Sequence, residues 1–212
     1  RILCFGDSNT FGSNPSGGRH DENTRWPMRL QTLLGDGWAV IEEGFSGRTC
    51  VYDDPIEGGY KSGADYLPPC LMSHAPLDVV ILMLGTNDMK ERFHVSSFCI
   101  ATAIENLLNA IDASSSGPDF AAPNVLLVSP VPIRDVGNRD LHRMLENGFA
   151  KSRELPEYCA QIAQRRNIAY LDPSHLVEVS DSDGIHYTEN GHNVMARLME
   201  QKVREIFGED AK

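Results

Sequence analysis

Five short, almost uninterrupted apolar runs constrain this chain more than any other feature. They are Ile2–Phe5, Trp38–Glu42, Val79–Leu84, Val125–Ser129 and Ile168–Leu171. Runs this short without strict alternation predict strands covered on both faces. Helical spacing recurs between them. Trp26, Leu30, Leu33 and Leu34 share one face; so do Phe98, Ala101, Ile104, Leu108 and Ile111. Leu155, Tyr158, Cys159 and Ile162 form a third stripe, and Met195, Leu198, Met199, Val203 and Ile206 a fourth. Alternating strands and helices predict an α/β class: a three-layer α/β/α sandwich around a five-stranded, mostly parallel, flavodoxin-like sheet. A length of 212 residues suits one domain over 1–212.

Composition removes several function classes. The net charge of −11 leaves no basic footprint for nucleic acid or an anionic membrane surface. The most apolar stretch, Val79–Leu84, is far shorter than the ~20 residues of a spanning helix. The first residues read as a strand and not as a leader. The five cysteines, Cys4, Cys50, Cys70, Cys99 and Cys159, are odd in number and widely spaced. They predict reduced thiols in a cytoplasmic protein, with no disulfide framework or zinc site. Three segments read as long loops that either carry function or are solvated surface: Thr10–Arg25, Asp53–Gly63 and Pro130–Asp140.

A parallel sheet presents its ligands beyond the carboxyl ends of its strands. The first strand runs into Gly6-Asp7-Ser8, and the second into Phe45-Ser46-Gly47-Arg48-Thr49. The third runs into Gly85-Thr86-Asn87-Asp88, and Asp183-Gly184-Ile185-His186 precedes the last helix. A serine hydroxyl needs a base to become a nucleophile, and His186 supplies one for Ser8. Asp183 can hold the imidazole tautomer. The backbone N–H groups of Ser8 and Gly47 and the Asn87 amide can receive an oxyanion. Asp7 is expected to fix the turn that presents Ser8, and Asp88 to orient Asn87 or cap a helix.

Each feature also has a bland reading. Gly-Asp-Ser is a common turn, Asn-Asp after a strand is a common cap, and Gly47 alone is a turn glycine. Gly44-Phe45-Ser46-Gly47-Arg48 resembles a nucleophile elbow, but Arg48 replaces its last glycine, so Ser46 reads as a turn serine. His175, His186 and His192 fit no zinc spacing, and His192 is expected to cap a helix or lie on the surface. Gly6–Gly12 lacks dinucleotide-loop spacing. Asp181 competes with Asp183 for His186.

The stretches RILCFGDS, VIEEGFSGRT, DYLPPCL, LDVVILMLGTND and DGIHYTE, taken together and in this order, resemble the blocks of the SGNH hydrolase superfamily, the GDSL-type esterases. They are most similar to the bacterial arylesterase and acyltransferase branch. The resemblance implies Ser8 as nucleophile, Ser8, Gly47 and Asn87 as oxyanion donors, and Asp183 and His186 as its partners, the acid lying three residues before the histidine. It implies a small ester substrate of the acetyl type on an aryl or sugar alcohol, no cofactor or metal, and a homo-oligomer. A carbohydrate acetylesterase shares this machinery. A binding protein without turnover and a flavin- or nucleotide-binding module are the readings from other classes. Asn9 departs from the pattern, standing where the family prefers leucine. Ser13 and Asn14 are polar where the acyltransferase relatives are apolar, which favours water over other acyl acceptors.

Overall fold

The computed structural model describes residues 1–208. Strand β1 (Ile2–Gly6) leads into a single helical turn, α1 (Ser8–Phe11), and then into α2 (Trp26–Leu34) and β2 (Val40–Gly44). Helix α3 (Gly63–His74), β3 (Val79–Met83), α4 (Ser97–Asp112) and β4 (Asn124–Val128) follow. The remaining elements are α5 (Arg139–Met144), α6 (Gly148–Arg166), β5 (Ala169–Leu171) and α7 (Glu189–Ile206). All four strand pairings are parallel, in the order β2-β1-β3-β4-β5. The expected three-layer α/β sandwich is therefore the observed fold.

The central strands β1, β3 and β4 are buried on both faces because alternate residues feed two separate cores, while the outer strands β2 and β5 are partly buried. Leu3, Phe5, Val80, Leu82 and Leu127 pack with α3, α4 and α6. Ile2, Cys4, Ile81, Met83, Leu126 and Val128 pack with α2 and α7. Burying a large apolar side chain in either layer contributes about 1.5–3 kcal/mol. The strand order reverses direction between β1 and β3, so the crevice at their carboxyl ends is the natural ligand position.

The structure moves several expected features. β2 begins two residues late because Trp38 is taken by a turn and by α2. Its N–H donates to Gly35 O, and its carbonyl accepts from the Gln31 side chain. Phe98 leaves the α4 stripe and is 60% exposed, lying edge-on to Tyr158. The buried apolar stripe of α4 starts at Ile100, two residues further along the chain. Helix α3 is additional to the four expected helical stripes, and Pro68 and Pro69 sit inside it. Interior prolines normally break a helix by removing two donors. Here both lie on the exposed side, while Leu67, Cys70 and Leu71 hold the opposite face in the core. The Asp53–Gly63 loop carries a short 3₁₀ turn, Pro55–Glu57, and a bridge between Thr49 and Ser62. The Pro130–Asp140 loop runs into α5. All five cysteines are unpaired thiols, and only Cys99 is exposed. Among the described residues, no helix is long and apolar enough to cross a membrane.

Candidate active site

Ser8 follows the buried strand β1 directly. The Asp7 carboxylate accepts the Asn9 N–H at 3.0 Å and caps the turn that carries Ser8. Burial raises the Asp7 carboxyl, with the Asn9 N–H and the nearby His186 pulling the other way. Ser8 is 7% exposed, and its Oγ lies 2.9 Å from His186 Nε2. His186 Nδ1 lies 2.7 Å from Asp183 Oδ2. The other Asp183 oxygen accepts the backbone N–H groups of Ile185 and His186 at 2.9 and 3.0 Å. Burial pushes the Asp183 carboxyl upward. The hydrogen bonds from the His186 ring and the two N–H groups outweigh that and hold it below its usual value. An ionised carboxylate on Nδ1 leaves Nε2 as the acceptor that faces the hydroxyl.

Gly184 makes the Asp183–His186 turn possible. Its φ is +69°, and a Cβ there would stand 1.9 Å from Arg134 O. Asp181 turns outward onto Arg134, so Asp183 alone of the pair reaches His186. Thr188 then caps α7 by accepting the Gly191 N–H at 2.9 Å.

Gly47 and Asn87 face the same cleft. Residues Phe45–Arg48 form a β-turn, with the Arg48 N–H donating to Phe45 O at 3.0 Å. Gly47 occupies its third position at φ +82°, the type II signature that glycine supplies without strain. The Asn87 side-chain amide donates to Arg48 O at 3.1 Å, which fixes the amide and leaves its second N–H for the cleft. Among the described residues, the backbone N–H groups of Ser8 and Gly47 donate to no other group. The cleft has a volume of about 440 Å³. Leu141, Met144, Leu145 and Ile185 give it apolar lining; Ser13, Ser46, Glu57, Lys61 and Lys90 give it polar lining. A larger hollow of about 670 Å³ shares the Phe45–Arg48 turn, but neither Ser8 nor His186 lines it.

Three side chains hold the strand ends in register. Arg48 is buried over the Phe5 ring and donates to Gly6 O at 2.9 Å and to Glu43 O. Asp88 is fully buried and does not cap a helix. Both its oxygens accept the Cys50 N–H, at 2.9 and 3.0 Å, so Asn87 and Asp88 together grip the 48–50 backbone. Burial raises the Asp88 carboxyl to about 7 against the pull of those hydrogen bonds.

Asn9 is the residue whose role sequence reasoning missed. It is 5% exposed; its amide nitrogen donates to Ile185 O and its amide oxygen accepts the Tyr187 N–H, both at 3.1 Å. The two bonds flank His186 and staple its backbone beside Ser8. Leucine could make neither bond. Of the two expected roles of His192, capping holds and surface exposure does not. It is fully buried, and its Nδ1 accepts the N–H of Trp26, the first residue of α2, at 3.4 Å. It therefore caps a different helix from inside the protein. Burial pushes its imidazole down to about 3, with the neighbouring His20 adding to the effect.

Ser46 pairs with Ser13 through their hydroxyls at 3.0 Å, and His175 is exposed. Among the described residues, one side-chain group could hold a metal ion: Glu43, Cys70 and His74, with one ligand atom each within 4.8 Å of the others. As it stands, His74 Nε2 lies 2.8 Å from Glu43 Oε1, and the Arg48 cation lies alongside.

The model of the GDSL-like lipase/acylhydrolase family matches residues 4–194, spanning every residue of this cleft. The chain belongs to that family. Family relatives of solved structure superpose over nearly the whole chain. An inhibitor-bound aryl esterase of M. smegmatis is 36% identical, with a TM-score of 0.91, covering 97% of this chain and 98% of that one. A carbohydrate acetylesterase family member from Sinorhizobium meliloti is 34% identical, with a TM-score of 0.92 and 98% of both chains covered. An acetylxylan esterase of Xylanibacter ruminicola is 26% identical over 96% of this chain, which spans 43% of that protein's length. Membership and these relatives make the chain an esterase-type hydrolase.

Proposed function

We propose that the protein is a serine esterase that cleaves small acetyl-type esters of aryl or sugar alcohols through an acyl-enzyme. The observation that carries this is the continuous chain Asp183–His186–Ser8, at 2.7 and 2.9 Å, ending in the cleft that Gly47 and Asn87 share. His186 Nε2 takes the Ser8 proton as Oγ attacks the ester carbonyl. Asp183 stabilises the imidazolium that forms. The N–H groups of Ser8 and Gly47 and the Asn87 amide receive the oxyanion. His186 returns the proton to the departing alcohol, and the same histidine then activates water to release the acid.

The names of the relatives support the substrate class, and the cleft supports its size. The polar pair Ser13 and Ser46 beside the nucleophile supports water as acceptor, with transfer to other alcohols or to peroxide as a side reaction. Exposed Ile56 and Tyr60 on the 53–63 loop support association into a homo-oligomer. The unpaired thiols support a cytoplasmic setting.

Nitrophenyl esters from acetate to octanoate, assayed on the wild type and Ser8→Ala, test the reading. Activity is expected to be highest on the shortest acyl chains and lost in Ser8→Ala. A maximum at octanoate contradicts the small-ester assignment, and an active Ser8→Ala contradicts the mechanism.

A further inference from the structure

The 53–63 loop brings one cation to the turn that carries Gly47. Its backbone is fixed beside that turn: within the loop the Lys61 N–H donates to Asp53 Oδ1 at 2.9 Å, and Lys61 O accepts the N–H of Thr49, the residue after the turn, at 2.9 Å. The side chain is half-buried. Its ammonium lies 4.3 Å from the centre of the Phe45 ring and donates to Ser46 O at 2.8 Å. It is also close to Gly47 itself, since a Cβ there would stand 3.2 Å from Lys61 Nζ.

Ser46 O and the Gly47 N–H belong to the same peptide plane. In a trans peptide they point in opposite directions, so fixing the oxygen fixes the N–H. This is the central peptide of the Phe45–Arg48 turn, the unit whose orientation separates type I from type II. If it flipped, the Gly47 N–H would swing away from its present direction. A charge-assisted hydrogen bond on the carbonyl opposes that flip. It also polarises the peptide, making its N–H a stronger donor.

We propose that Lys61 is a positioning residue for the oxyanion site. Its ammonium locks the Ser46–Gly47 peptide so that the Gly47 N–H is already aimed and polarised when negative charge develops on the substrate. This rests on the serine-esterase reading and gives the 53–63 loop a role within it. Lys61 touches the peptide and not the reacting atoms, so its effect belongs to the transition state and not to ground-state binding.

Lys61→Met keeps the stem over Phe45 and removes the ammonium; Lys61→Arg keeps a charged donor. Deleting a whole oxyanion donor costs about 100- to 1,000-fold in kcat, so loosening one is expected to cost about 10-fold. For Lys61→Met on nitrophenyl acetate, kcat is expected to fall by that factor with KM within about twofold. A boronic acid that forms a tetrahedral adduct on Ser8 is expected to weaken in parallel. Lys61→Arg is expected to restore most of both. Unchanged kcat and boronate affinity in folded Lys61→Met overturns the proposal, as does a rise in KM alone, which would make Lys61 a substrate contact. If Lys61→Met does not fold, Lys61→Gln is read the same way, with a smaller kcat loss expected and an unchanged kcat overturning the proposal. An inactive wild type, or a Ser8→Ala as active as it, removes the esterase reading itself and is distinguishable from either result.

Discussion

The two halves of the cleft are held by different means. Ser8, the Gly47 turn and Asn87 sit at the ends of strands whose ladders run through two buried cores. Asp183 and His186 sit on a connection between β5 and α7 that has little regular structure of its own. The first half takes its placement from the sheet, and Arg48, Asn87, Asp88 and Lys61 trim its Gly47 turn. The second needs side chains to fix it, and Asn9, Gly184 and the Asp183 carboxylate do so locally. Rigidity at Ser8 is a property of the fold, whereas rigidity at His186 depends on a few hydrogen bonds. Damage to the first half should therefore appear mainly in the chemistry. Damage to the second should appear in both chemistry and local order.

The largest effect is expected in the strand-end half. Asn87→Ala removes a proposed oxyanion donor, so kcat should fall about 100- to 1,000-fold, with a smaller loss of stability from the Arg48 carbonyl it frees. Steady-state kinetics with thermal melts check it, and a large loss of stability with modest loss of kcat would reverse the comparison.

An intermediate effect is expected at the staple. Asn9→Leu leaves the Ile185 carbonyl and the Tyr187 N–H unpaired, costing about 1–3 kcal/mol of stability for each buried group left unmet. Misplacing His186 by an ångström is enough to slow turnover up to about 100-fold. Amide hydrogen exchange should rise around residues 183–187 and stay unchanged in β1 and β3. Unchanged exchange there would show that the staple does not hold the histidine.

The smallest effect concerns pH. The His192 imidazole is held near 3 in the folded protein, below the ~6.5 of an unfolded histidine. Below ~6.5 the unfolded chain therefore binds a proton that the native state refuses. Stability from this group is present above that value and is lost as pH falls toward 3, by at most about 1.4 kcal/mol per pH unit. Asp88, raised to about 7, has the opposite slope between ~4 and 7, so the wild type alone blends the two. Denaturant unfolding of His192→Gln should show it gaining on the wild type as pH falls from 7 to 5. A constant difference would contradict the buried, neutral histidine.

Much of this was legible in the sequence, for identifiable reasons. Continuous apolar runs mark doubly covered strands, and a parallel sheet collects whatever follows its strands. Ser8, Gly47, Asn87 and His186 could therefore be placed before any coordinates. What stayed hidden depends on contacts across long chain separations. Asn9 acquires its meaning from Ile185 and Tyr187 at the far end of the chain. Lys61 reaches the Ser46 carbonyl only because its loop returns to Thr49. The burial of His192 depends on the packing of α2 against α7, and α3 forms with two prolines on its exposed side while Leu67, Cys70 and Leu71 anchor it in the core.

The central claim is that Ser8, activated by His186, is the nucleophile. Reaction with a fluorophosphonate followed by peptide mass mapping tests it most directly. One adduct per chain is expected, on Ser8, formed rapidly in the wild type, slowed by orders of magnitude in His186→Ala and absent in Ser8→Ala. An adduct on Ser46 or another residue, or equal labelling of all three proteins, would contradict it.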